Sequence, residues 1–297
     1  MANENTFVKD AGAWKMATAI HVKDAGVWKT VKGIWTHDGG VWKKVYFKSF
    51  RFNHTYSTVT ASPSVATLAT SLGWNGSDPV VGNIVVDANL YSTSTGVAAF
   101  YCHGLPAGSV INLTVNAGRT IGGCGGQGGN GVAGVNGETG GLAMYVRNTL
   151  NVTNNGTIAG GGGGGGVGGD YVDWGASLFI GGSGGGGGRG GGGAGGGINN
   201  AGYTPGGPGN NGSFAGAGTG GAGVSVSRGG EEGSPITWHT GGNGGNGGDW
   251  GQPGSAGSTA SNGGGGPGAG GAAGSAVDGN SFVTWLATGS RFGSLAN

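Results

Sequence analysis

Between residues 49 and 120, apolar and polar positions alternate in short bursts, as in Asn83-Ile-Val-Val-Asp-Ala-Asn-Leu-Tyr91 and Ser109-Val-Ile-Asn-Leu-Thr-Val115. A period of two in β-branched segments bounded by Gly, Pro and Asn is the signature of half-buried strands. This stretch is expected to fold as a small antiparallel β domain. Ahead of it, Val8-Lys-Asp-Ala-Gly-Ala-Trp-Lys15, Val22-Lys-Asp-Ala-Gly-Val-Trp-Lys29 and Thr36-His-Asp-Gly-Gly-Val-Trp-Lys43 recur every 14 residues. Asp and Gly between extended arms signal tight turns, so residues 1–48 read as three β-hairpins. A hairpin this short cannot bury a face of its own. Trp14, Trp28 and Trp42, with Trp35 beside them, therefore form the core of a self-packed module or enter pockets on a partner. Three near-equal copies suit a three-fold symmetric partner.

From 121 to 280 the alternation gives way to Gly runs broken by single Asn, Ala, Ser, Pro or Val. Of the 81 glycines, 67 fall here, 12 in residues 1–120 and 2 in residues 281–297, read as a tail that packs back. Gly and Pro together make about 30% of 297 residues, a composition usual for disordered chains. The 9 Trp, 9 Phe and 7 Tyr argue against that reading, and the Gly runs lack the strict three-residue phase of collagen. Without Cβ atoms, polyglycine-II helices of about 3.1 Å rise pack side by side. Their N–H and C=O groups are then satisfied by neighbours, with Cα–H···O contacts added. A sandwich of antiparallel polyglycine-II helices is expected, including one over 181–197. The fold class is mainly β and irregular, with almost no α-helix.

Richer interruptions become the connecting loops: 170–180, 198–204, 210–214, 224–239 and 249–262. They carry Tyr171, Asp173, Trp174, Phe179, Tyr203, Phe214, Glu231, Glu232, Trp238, His239 and Trp250. Aromatic rings beside adaptable polar groups, on short loops over a rigid scaffold, make a recognition surface.

Charge and motif chemistry narrow the function. Net charge is +1, with all eight lysines in residues 1–48 against four acids, and no polycation for nucleic acid follows. No basic start followed by an apolar stretch and no long apolar run suggests a signal or membrane insertion. G-x-G-x-x-G matches arise by chance in such a chain, and no Lys follows Lys48 to complete a P-loop. Five scattered His and two Cys have no metal-ligand spacing, so neither metal nor cofactor is expected. Cys102-His103 are strand neighbours that point to opposite faces. Glu231-Glu232 sit in a Gly-flanked loop that fixes no separation for glycoside cleavage. Cys102 and Cys124 are expected as free thiols, and the chain as a non-enzyme.

The stretch Leu150-Asn-Val-Thr-Asn-Asn-Gly-Thr-Ile-Ala, the run Gly160 to Gly166, and Ala276-Val-Asp-Gly-Asn-Ser-Phe-Val-Thr-Trp285 resemble the receptor-recognising adhesins at the tips of long tail fibres of T-even-like bacteriophages. Val110-Ile-Asn-Leu-Thr-Val, Gly125-Gly-Gln-Gly-Gly-Asn-Gly131 and Gly-Ser-Arg at 289–291 extend the resemblance over about 105–297. It implies a polyglycine-II sandwich in the virion, at the tip of a trimeric fibre. Its variable loops would bind an outer-membrane protein or surface glycan of the host. The 14-residue hairpins depart from that pattern. A structural cap without a receptor and an ice-binding protein are the rival readings; the latter needs regular arrays of small residues, unlike these unequal aromatic loops.

Overall fold

Strands starting at residues 50, 80 and 110 are a step of 30 apart. A connection of more than a dozen residues brings a strand back parallel to its predecessor. The computed structural model describes residues 7–10, 13–16, 20–31, 33–38, 40–47, 49–130, 134–173, 178–180, 182–190, 207–223, 225–228, 237–261 and 265–297. In it Phe50–Tyr56, Val80–Val86, Val110–Val115, Thr149–Asn154 and Val283–Ala287 lie side by side, each pair parallel. A second parallel stack runs through Thr60–Ala61, Leu90–Tyr91, Thr120–Gly122, Thr157–Ala159 and Ser290–Phe292. A third joins Phe100–Cys102, Met144–Val146, Val277–Asp278 and Leu295–Ala296. The chain thus winds as a three-sided solenoid.

This corrects the expected antiparallel sheet, although the mainly β class stands. Alternation identifies a strand but not the direction of its neighbour. The pairings also cross the division placed at residue 120, because strands at 149–159 and 277–296 complete the stack. The short helix Val65–Ser71 is the α-helix among the described residues, with Val65 and Ala69 buried.

Inside the solenoid, residues in register form apolar columns. Ile84, Leu113 and Val152 make one, and Leu90, Ile121 and Ile158 another, all essentially fully buried. Gly82 is required in the first stack because the Phe52 ring occupies the space a Cβ would need. On the outer face of that stack, Asn83 donates its amide to Asn53, Asn112 to Asn83 and Asn151 to Asn112 at 2.8–2.9 Å. Such a ladder locks register, since a one-residue slip would strand every amide. Cys102 and Cys124 are buried free thiols. Burial pushes the Cys102 thiol up to about 12 and, with the charge of Glu138, that of Cys124 up to about 11.

The glycine runs continue the solenoid. Gly160 to Gly169 leaves the strand Thr157–Ala159, and its successive N–H groups donate in rotation to three neighbouring runs. Gly161, Gly164 and Val167 bond Gly141, Glu138 and Val135; Gly162, Gly165 and Gly168 bond Arg189, Gly186 and Ser183; Gly163, Gly166 and Gly169 bond Gln252, Ser255 and Ser258. Its carbonyls accept in the same rotation from runs 123–129, 242–251 and 268–274. Three residues per turn without internal hydrogen bonds is polyglycine-II geometry. The lattice is not uniformly antiparallel: 123–129 and 252–258 run parallel to the central helix, and 252–258 is a lattice helix rather than part of a loop. Only 182–190 of the helix expected over 181–197 lies within the described residues.

In the head, Phe7–Asp10 pairs with Ala13–Met16, His21–Asp24 with Val27–Thr30, and Gly33–Asp38 with Val41–Phe47, all antiparallel. The second hairpin turns on Ala25 and Gly26, both at positive φ, as the tight primed turn requires. Lys9, Lys23 and His37 stand opposite Trp14, Trp28 and Trp42 in the repeated register.

A Cβ at Gly164 would fall on the carbonyl oxygen of Gln127, far inside the 3.0 Å that real Cβ atoms respect. At Gly266 it would meet nothing within 4 Å. Gly164→Ala is therefore expected to cost about 3 kcal/mol or more, whereas Gly266→Ala leaves stability unchanged or raises it by up to about 1 kcal/mol. Denaturant unfolding of the two variants measures the contrast.

Candidate functional site

The direction of each glycine helix decides which connections share an end. Helices 134–142, 160–169 and 265–275 meet solenoid strands at residues 142, 160 and 275. Their other ends therefore point away. Gly168 bonds Ser183, Gly169 bonds Ser258, and Gly242 bonds Gly169. The described ends of the connections that leave Gly169 and Ser258 and that enter Ser183 and Gly242 consequently gather at the end remote from the solenoid.

Two antiparallel hairpins rise there, Tyr171–Asp173 with Leu178–Ile180 and Ser225–Arg228 with Thr237–Thr240. Asp170 anchors the first by accepting the Gly182 N–H at 2.7 Å. The second is held by the Ser225 and Thr240 hydroxyls, 2.8 Å apart, and by Ser261 Oγ, which accepts the Thr240 N–H at 2.7 Å. Tyr171 of one hairpin stacks on His239 of the other, with ring centroids 4.4 Å apart, and both rings are buried. The next residue on that strand faces the opposite way, so Trp238 is 64% exposed. Tyr171 and His239 thus brace the end, and Trp238 is presented by it. On the first hairpin Asp173 stands opposite Leu178, and Phe179 opposite Val172. Trp174, Tyr203, Glu231 and Glu232 lie outside the described residues.

Phe214 and Trp250 are not brought to this end, which corrects their grouping with the other loop aromatics. Gly190 bonds Ser213 and Gly251 bonds Gly160, placing both turns against the solenoid. There the two rings meet edge to face at 5.0 Å over Gly122, where a Cβ would lie 2.6 Å from Trp250 and 2.9 Å from Phe214. They are packing residues of the junction. Arg189, which the sequence reading passed over, joins them: its guanidinium lies 5.4 Å from the Trp250 ring, and its Nη1 donates to Asp249 at 2.7 Å. Burial opposes ionisation of Asp249, but hydrogen bonds from Arg189 and the Trp250 N–H, with the guanidinium charge, hold its carboxyl below the usual range. The signal was available, because Arg189 is the single charge inside a long Gly run.

In the head, Trp28 is 67% and Trp42 66% exposed, with Val22, Val27 and Val41 also open to solvent. These tryptophans do not form the core of a self-packed module. Lys23 approaches the Trp28 ring at 5.9 Å, and His37 meets Trp42 edge to face at 5.0 Å. Among the described residues no side-chain cluster has the make-up of a metal site, and no helix is long and apolar enough to cross a membrane.

A family model described as phage tail fibre adhesin Gp38 matches residues 51–296, leaving the hairpin head outside the match. No curated protein matches the chain. Among solved structures, the chain is similar to one from the crystal structure of the gp37–gp38 adhesin tip complex of the bacteriophage S16 long tail fiber. The identity is 29% over 86% of this chain and 83% of that one, with a TM-score of 0.49.

The two tryptophans that the sequence treats alike are expected to separate in stability. Trp250→Ala, emptying the junction, should cost about 3–5 kcal/mol. Trp238→Ala at the open end should change stability by no more than about 0.5 kcal/mol. Chemical denaturation monitored by circular dichroism distinguishes the two.

Proposed function

Because the chain belongs to the phage tail fibre adhesin Gp38 family, we propose that this tail fibre adhesin binds a protein or glycan receptor on the bacterial outer surface through the end of its glycine lattice remote from the solenoid, without catalysis, and so sets host range. The observation that carries the reading is the convergence of two hairpins at that end, braced by the Tyr171–His239 stack, with Trp238 exposed beside them. A rigid aromatic on a braced hairpin offers large contact area at low entropic cost. Glycine helices tied together through their backbones carry that surface without deforming. Asp173, Trp174, Phe179, Glu231 and Glu232 belong to the same two connections and supply the variable contacts.

The head is the fibre-docking element in this reading. Exposed Trp28 and Trp42 on repeated hairpins are anchors awaiting pockets. Trp14 holds the equivalent register, and Trp35 lies on the third hairpin. Three copies in tandem suit the tip of a trimeric fibre.

Exchanging residues 170–180 and 224–239 for those of a relative with another host is expected to change adsorption while particles still assemble. Unchanged adsorption after both exchanges would place the receptor site elsewhere or support a cap without a receptor. Substituting Trp14, Trp28 and Trp42 together by Ala is expected to release the folded protein from purified fibres. Retention on the fibre would contradict the docking role.

A further inference from the structure

A cavity of about 410 Å³ opens beside the junction, between the base of the glycine lattice and the second face of the solenoid. We propose that it is a saccharide-binding site, separate from the hairpin end and independent of the function proposed for that end.

Its chemistry selects a neutral, hydroxyl-rich ligand. One wall is a column of hydroxyls: Thr120, Thr157 and Ser290 are register partners on adjacent parallel strands and so repeat at about 4.8 Å. Arg189, Asp249 and Gln252 supply the other polar groups of the lining. Arg189 and Asp249 neutralise each other at 2.7 Å, so the cavity has no excess charge for a phosphate or an ammonium group. The pair is not exhausted by that contact. Arg189 spends Nη1 on Asp249 and Nε on the Phe214 carbonyl, leaving Nη2 to donate, while Asp249 uses Oδ1 and leaves Oδ2 to accept. Neither the three hydroxyls nor the Gln252 amide has a side-chain hydrogen bond among the described residues.

The apolar component is equally directional. Trp250 closes the cavity on one side, buried under Arg189, and Phe292 borders it with 42% of its surface exposed. A pyranose has a rim of hydroxyls that both donate and accept and an apolar C–H face that rests on an aromatic ring. The volume lies within the range of small-ligand sites. The lining comes from three distant parts of the chain, 120–157, 189–252 and 290–292. They meet because solenoid strands and lattice helices are bonded into one framework.

The test uses the full chain and four probes, the methyl glycosides of glucose, galactose, mannose and N-acetylglucosamine, read by saturation-transfer NMR and titration of Trp fluorescence. At least one glycoside is expected to receive saturation. Gln252→Ala and Asp249→Asn, each checked for folding by circular dichroism, should weaken its binding about tenfold, the effect of losing a hydrogen bond to a polar or charged group. Trp238→Ala at the remote end should bind it unchanged. The proposal is overturned if no probe is saturated, or if both junction variants bind as the unaltered protein does. Loss of binding only on Trp238→Ala would also overturn it, assigning the sugar to the hairpin end instead.

Discussion

The structure depends on one interaction, the hydrogen bond from a glycine N–H to a carbonyl on a neighbouring glycine helix. In an ordinary domain the backbone satisfies itself within helices and sheets, and side chains fill the space between them. Here the backbone itself fills that space. Gly160 to Gly169 is surrounded by helices it donates to and helices it accepts from, and it is bonded to them at every residue. The arrangement closes only if the helices approach until a carbonyl oxygen occupies the position of each missing Cβ, as Gln127 does at Gly164 and Cys124 does at Gly161. Glycine loses more backbone entropy on folding than any other residue. The dense bonding of the lattice offsets that loss.

The solenoid resolves how such a lattice begins. Unlinked polyglycine helices have no side chains to set their register. The strands Thr120–Gly122 and Thr157–Ala159 are already in register, and each runs directly into a lattice helix. The sheet ladder continues across the boundary as Gly123 to Ala159, Gly126 to Gly162 and Gly129 to Gly165. Apolar columns and the asparagine ladder thus fix, in the part of the chain with a side-chain core, the alignment inherited by the part without one. At the junction, Phe214 and Trp250 on Gly122 add the side-chain packing that the lattice lacks.

Much of this was legible in the sequence, and what was not has physical causes. Asp-Gly turns at a 14-residue step reveal the hairpins because turn chemistry is local. Glycine runs reveal the lattice because no other residue permits the spacing. The direction of the solenoid strands was hidden, since alternation reports a face and not a neighbour; the recurrence of Asn53, Asn83, Asn112 and Asn151 in equivalent strand positions was the available clue. The loop aromatics were legible as a class but not by position. Whether a connection lies at the solenoid or at the open end depends on counting helices up and down, so Trp238 and Trp250, alike in the sequence, end on opposite ends of the lattice. Burial on adjacent strand positions divides Trp238 from His239 in the same way.

The claim that the glycine region is a solid, backbone-bonded platform is tested most directly by hydrogen exchange on the intact protein, read by mass spectrometry on peptides spanning residues 160–169. Apart from Gly160, which donates to Phe292 on a solenoid strand, those amides have no partner within their own helix and are held only by the lattice. The account predicts that they exchange as slowly as the solenoid strands Val110–Val115 and Thr149–Asn154, through global unfolding alone. Exchange of 160–169 at the rate of an open chain, with the solenoid still protected, would contradict it.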